Sequence, residues 1–122
     1  MAHPSAAWGI EIGQFAIKAM RLARNGDDVE VTDFAVVPHR KVLSTPDIDV
    51  GEVTRLSLGQ LISEKNLEGE HLVISIPGHS AFARFAELPP VEPKALPEIV
   101  RYEAVQQIPF PIDELEWDYE AF

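Results

Sequence analysis

In the stretch WGIEIGQFAIKAMRL, Trp8 to Leu22, the carboxylate of Glu11 and the ammonium of Lys18 flank Gly13. Two short strands hinged at a glycine can hold a phosphate, because backbone N–H groups at such a turn come close to an anion and a lysine adds positive charge. The same residues suit plain structure equally well. Gly13 can serve only as the tight turn of a hairpin, and Glu11 and Lys18 as a cross-strand pair worth ~0.2–1 kcal/mol.

Other chemistry finds less support in the chain. A two-metal nuclease centre needs carboxylates from a first strand, a helix and a later strand. Glu11 with Glu52 or Glu64 supplies two, but LVISIPG, Leu72 to Gly78, supplies no third. His3, His39, His71 and His79 are too scattered for a metal site by local spacing, and each is expected to be a surface or loop histidine. Ser75, Ser80 and His79 have the types for nucleophilic catalysis, yet no glycine-framed elbow surrounds the serines. The acidic row Glu116, Asp118 and Glu120 reads as a solvated face.

The elements that must position these residues follow from hydrophobic period. Strands are expected at about Trp8 to Ile12, Phe15 to Leu22 and Val29 to Val37, with NGDD (Asn25 to Asp28) as the turn between the last two. Asp49 and Glu52 have capping-box spacing. Val50, Val53, Leu58, Leu61 and Ile62 then share one arc, which predicts a helix from Val50 to about Lys65 that packs on a sheet. Asn66 and Gly69 are its stop signals. LVISI, Leu72 to Ile76, reads as a central strand covered on both faces.

A strand at about Ala81 to Leu88 precedes a helix opened by Pro93 and Pro97, with Leu96, Ile99, Val100 and Ala104 as its apolar face. That helix cannot pass Pro109 and Pro111. LEWDYEAF, Leu115 to Phe122, alternates as a half-buried strand with Leu115, Trp117, Tyr119 and Ala121 on one face.

The chain has 122 residues, 46% of them apolar, which suits one domain of roughly 100 to 200 residues with a real core. Its formal charge of -10 repels a phosphate backbone and argues against nucleic-acid and polybasic membrane-surface binding. The absence of cysteine excludes a disulfide framework and a thiolate zinc site, and suits a reducing compartment. The N-terminal residues MAHPSAAW lack the pattern of a signal peptide, and no stretch approaches the ~20 apolar residues of a membrane span. Any membrane connection is expected to go through a partner. A strand–helix–strand unit of about 40 residues buries little area by itself, so the chain reads as the N-terminal piece of something longer.

With these elements in place, WGIEIGQFAIKAMRL followed by ELPPVE, VRYEA, QQIPFP and DELEWDY, in that order and spacing, resembles the N-terminal part of the PilM family. Members are actin-like proteins of type IV pilus and type II secretion assembly, themselves similar to FtsA. The resemblance covers nearly the whole chain but about the first third of the family's length. It implies an α/β fold. Residues 1–79 would form part of an actin-like, RNase H-like subdomain 1A with one helix across its sheet, and residues 80–122 the strand–helix–strand start of an inserted subdomain 1C.

In actin-like proteins the first phosphate loop reads Asp, any residue, Gly, then several small or hydroxyl residues before a Lys. The resemblance therefore maps Glu11, Gly13, Gln14, Phe15, Ala16 and Lys18 onto a degenerate version of that loop, with Glu11 able to approach magnesium through water. Gln14, Phe15 and Ala16 lack hydroxyl donors, Phe15 is bulky, and Glu11 is one methylene longer than the family's Asp.

ATP and magnesium are thus implied for a full-length relative. None is expected for this chain alone, nor is catalysis, since the other loop and the adenosine pocket lie outside it. The resemblance further implies a cytoplasmic scaffold at the inner face of the inner membrane. It would bind the cytoplasmic N-terminal tail of a PilN-like membrane protein in a groove between 1A and 1C, with Phe82, Phe85, Tyr102, Phe110 and Trp117 as candidate lining. The alternative is an actin-like ATPase whose nucleotide state controls assembly. An uncovered apolar face on the second half is expected to drive self-association.

Overall fold

The computed structural model describes residues 4–122. They form two compact units that divide between Ala81 and Phe82.

In the first unit, β1 (Ala6–Ile12), β2 (Ala16–Asn25) and β3 (Asp28–Pro38) form an antiparallel meander. The NGDD turn closes as expected: Asn25 pairs with Asp28, and Gly26 takes φ 64°, a left-handed conformation that costs glycine little. Helix α1 (Val50–Glu64) then carries the chain across the sheet, so that β4 (Leu72–Ser75) pairs parallel to β1. Such a parallel pairing needs a crossover of this kind. The strand order is β3-β2-β1-β4.

Asp49 caps α1 by accepting the Glu52 N–H at 2.9 Å, one half of the expected capping box. The helix stops at Lys65, whose N–H returns to the Leu61 carbonyl.

Alternation along the strands gives the sheet one dry face. Trp8, Ile10, Ile17, Ala19, Ala35 and Val37 pack with Leu61 of α1 into a single cluster, joined at its edge by Leu58 and Leu67. Met20, Phe34 and Val36 point the other way and are exposed. The α1 arc is narrower than its periodicity suggests. Val50 and Ile62 are exposed, while Ser57 is buried in the contact.

β3 carries a bulge. Arg21 pairs with Asp33 and Leu22 with Val31, leaving Thr32 as the extra residue, and its hydroxyl donates to the Arg21 carbonyl at 3.3 Å. The Arg21 guanidinium in turn holds Glu70 at 3.0 Å, fastening the segment that leads into β4.

β4 departs from its expected place. Among the described residues it is an edge strand, and Leu72, Val73 and Ile74 are 40%, 57% and 54% exposed. An apolar run identifies a strand with two apolar faces, but whether neighbours cover those faces depends on distant parts of the chain and leaves no mark in the run.

Lys65 donates to Asp33 Oδ1 at 2.6 Å, fastening the end of α1 to β3. That hydrogen bond, supported by the Phe34 N–H and the charges of Lys65 and Arg21, outweighs desolvation and holds the Asp33 carboxyl below its ordinary value of 3.8. A depressed carboxylate stabilises the fold above its unfolded pKa, and the contribution disappears as pH falls through the folded value. Asp33→Asn is therefore expected to lower the thermal midpoint at neutral pH, with the difference from the parent closing towards about pH 2. Thermal melts across that range check this; a loss that persisted in acid would contradict a charge-based contribution.

In the second unit, α2 (Leu96–Gln107) starts with Pro97 in its first turn and ends before Pro109, as its prolines require. Leu96, Ile99, Val100 and Ala104 are half-buried, the expected face. A short turn of 3-10 helix, Ile112–Glu114, buries Ile112 and ties back to α2 through Arg101 and Asp113 at 2.6 Å.

The two expected flanking strands do not form. Residues 81–88 and 115–122 enter no ladder, although Leu115 has extended backbone angles. Strict alternation sets which side chains share a face, but a ladder needs a neighbouring backbone aligned to exchange hydrogen bonds, and alternation does not supply that. Of the alternating apolar row, only Trp117 is half-buried, and its ring stacks on Tyr119 at 6.4 Å.

Candidate functional site

Glu11 and Lys18 are directly opposed across β1 and β2. Lys18 Nζ lies 3.5 Å from Glu11 Oε2, with the side chains 63% and 57% exposed. They lie on the sheet face opposite α1, since their strand neighbours Ile10 and Ile17 belong to the buried cluster. An exposed pair of this kind contributes ~0–1 kcal/mol and leaves both groups free to re-pair with a ligand.

The turn between these strands is held from the other side. The Gly13 carbonyl accepts from His39 Nε2 at 2.9 Å, the Gln14 carbonyl from the Leu43 N–H at 2.9 Å, and the Phe15 carbonyl from the His39 N–H at 2.9 Å. Three successive carbonyls are thus committed to the connector that follows β3. In a planar trans peptide the N–H points opposite to the C=O, and all the described peptide bonds are trans. The Gln14 and Phe15 N–H groups therefore point away from the groups that hold the Gly13 and Gln14 carbonyls.

Gly13 sits where a side chain would be crowded. A Cβ at this position would lie 3.1 Å from the Ala16 carbonyl oxygen, which already accepts the Gly13 N–H at 3.0 Å. Phe15 is 71% exposed and projects from the tip. The Gln14 amide nitrogen reaches the His79 ring at 3.1 Å, joining the turn to the chain just after β4. Ala16 opens β2. Side-chain hydroxyls are absent from 13–16, so any anion contact at the tip falls to backbone N–H groups and Lys18.

His39 lies in the connector after β3, a loop histidine as expected, but not a surface one. It is 9% exposed, with Nδ1 2.7 Å from Ser57 Oγ of α1 and Nε2 on the Gly13 carbonyl. Its partners lie 18 and 26 residues away in sequence, so local spacing carries no trace of them. His71 and His79 are exposed, as expected, and His3 lies outside the described residues. No group of three or more metal-ligating side chains occurs among the described residues.

The candidate partner-binding residues all fall in the second unit. Phe82, Phe85, Tyr102 and Phe110 are 45%, 86%, 64% and 55% exposed, and Trp117 is half-buried. The unit brings none of the five onto another by stacking. Phe85 meets Phe122 edge to face at 6.4 Å, and Arg84 sits 3.9 Å over the Phe82 ring. Phe82, Phe85, Tyr102 and Phe110 are thus four separate aromatic side chains with large free surface.

Comparison with known protein families matches residues 9–122 to the family described as type IV pilus assembly protein PilM. The chain belongs to the PilM family. The match takes in the β1–β2 turn, the crossover helix and the whole second unit, and the mixed four-stranded sheet with its helix is the arrangement expected for part of an actin-like subdomain. No individually curated protein matches the chain. A PilM family member has a role in type IV pilus assembly. No described helix is long and apolar enough to cross a membrane.

Proposed function

We propose that this PilM family chain is a cytoplasmic scaffold that captures the extended N-terminal tail of an inner-membrane pilus protein through the aromatic side chains of its second unit. The observation that carries the reading is the exposure of Phe85, Tyr102 and Phe110 in a unit whose buried apolar side chains reduce to Ile112. Aromatic side chains bury large areas at little entropic cost, and a polypeptide in extended form offers them alternate side chains as anchors.

Charge supports the same partner. The second unit has nine acidic and three basic side chains, whereas cytoplasmic flanks of membrane spans are rich in lysine and arginine. Long-range attraction speeds encounter, while apolar anchors govern residence. Surface plasmon resonance on the immobilised tail peptide tests this. Raised salt is expected to lower the association rate more than it raises the dissociation rate, over a Debye length of ~10 Å at 0.1 M. A salt effect mainly on dissociation would replace the aromatic surface with a charged face.

A second reading, nucleotide-linked control of assembly, is favoured by one observation: the Gly13 and Gln14 carbonyls are committed to the connector, which leaves the Gln14 and Phe15 N–H groups directed away from it. They give the β1–β2 turn the means to touch a phosphate without the family's hydroxyls.

A further inference from the structure

We propose that His39 is the positioning residue of the β1–β2 turn: through its Nε2–H on the Gly13 carbonyl it fixes the direction of the Gln14 N–H, and through Ser57 it couples that turn to α1. The use of the turn for an anion rests on the second reading above; the clamp itself does not.

The hydrogen-bond inventory assigns the atoms. The Gly13 carbonyl can only accept, so Nε2 carries the proton in the 2.9 Å contact. In the neutral ring Nδ1 is then an acceptor, and the Ser57 hydroxyl must donate to it across 2.7 Å. Ser57 has a single hydroxyl hydrogen, for which Nδ1 and the Val53 carbonyl at 3.1 Å compete; in the neutral Nε2–H ring Nδ1 has no proton of its own, so the 2.7 Å contact exists only if that hydrogen goes to Nδ1.

His39 and Ser57 are 9% and 5% exposed, and water is a poor substitute for either partner at that burial. The backbone of His39 adds the third link by donating to the Phe15 carbonyl. One residue thus grips the turn twice, on either side of Gln14, and α1 grips that residue.

A packing role and a positioning role make different predictions. Loss of packing weakens the whole unit, whereas loss of the Nε2 donor releases 13–15 specifically. Nitrogen NMR of the imidazole in the intact chain is expected to show the Nε2–H form in the neutral ring. Amide exchange in His39→Ala is expected to rise about tenfold or more at Gly13 and Leu43, the cost of losing one buried hydrogen bond, with Ala19 and Leu61 unchanged. His39→Gln, which places an N–H near the position of Nε2, should restore slow exchange at Gly13 and Leu43.

An Nδ1–H ring, or exchange that rises equally at all four sites in both variants, would overturn the proposal. Should His39→Ala not fold, the ring form in the parent and its change in Ser57→Ala decide the matter: loss of the single Nε2–H form supports the coupling, and an unchanged ring refutes it. Titration of the parent with inorganic pyrophosphate, read at the Gln14 and Phe15 amides, separately tests the anion reading. A parent with a clamped turn and no pyrophosphate response would sink that reading and leave the clamp standing.

Discussion

Leu61→Ala is expected to cost ~2–5 kcal/mol and to abolish the cooperative melt of the first unit near physiological temperature. Leu61 is fully buried and is the α1 side chain that closes the cluster of Trp8, Ile10, Ile17, Ala19, Ala35 and Val37. That cluster is small, and a unit of this size has little stability to spare, so the cavity left by one methine and two methyl carbons falls on a narrow margin. For a domain of 60–100 residues each kcal/mol lowers the midpoint by about 4–8 °C.

The neighbouring residue supplies the control. Ile62 is 62% exposed, and Ile62→Ala is expected to stay within about 0.5 kcal/mol of the parent. Near-ultraviolet circular dichroism follows Trp8, which is 1% exposed, through the transition. Equal losses at 61 and 62 would mean that α1 does not pack on the sheet as described.

The contrast between 61 and 62 marks how far the sequence can be read. Helical period and the Asp49 cap place α1, and the NGDD turn and alternation place the meander, because each depends on residues within a few positions of one another. Placement across the sheet depends on distant partners. Ser57 is polar but lies within the apolar arc, one turn from both Val53 and Leu61, and it is buried there with His39 giving its hydroxyl a partner. His39 has no local signature at all. The apolar run of β4 announces a strand without announcing that it stands at the sheet edge, and LEWDYEAF alternates without gaining a ladder. At the candidate site, Glu11, Gly13 and Lys18 were legible as a hairpin with opposed charges. The committed carbonyls that turn the Gln14 and Phe15 N–H groups away from the connector at 39–43 were not, since they depend on that connector.

The second large effect is expected at the partner surface. Phe85→Ala and Tyr102→Ala should each weaken binding of the tail peptide by a factor of about 30 or more, the scale of an aromatic hot spot losing at least ~2 kcal/mol. Phe85 is 86% exposed and Tyr102 64%, so truncating either leaves the fold nearly untouched while removing most of its contact area. Glu116→Ala is expected to change affinity by no more than about fivefold, because an exposed charge pair contributes ~0–1 kcal/mol. Dissociation constants of the three variants, measured on one immobilised peptide, rank the anchors. Were Glu116→Ala the most damaging, binding would have to be assigned to the acidic row of Glu116, Asp118 and Glu120.

The scaffold account claims above all that a peptide lies on the aromatic surface of the second unit, and nuclear magnetic resonance of the nitrogen-labelled chain with the tail peptide tests it most directly. The account predicts shift changes concentrated in residues 82–122, largest around Phe82, Phe85, Tyr102 and Phe110, with the β1–β2 turn unaffected. Changes confined to the Glu116 to Glu120 row, or centred on Gly13 to Lys18, would contradict it.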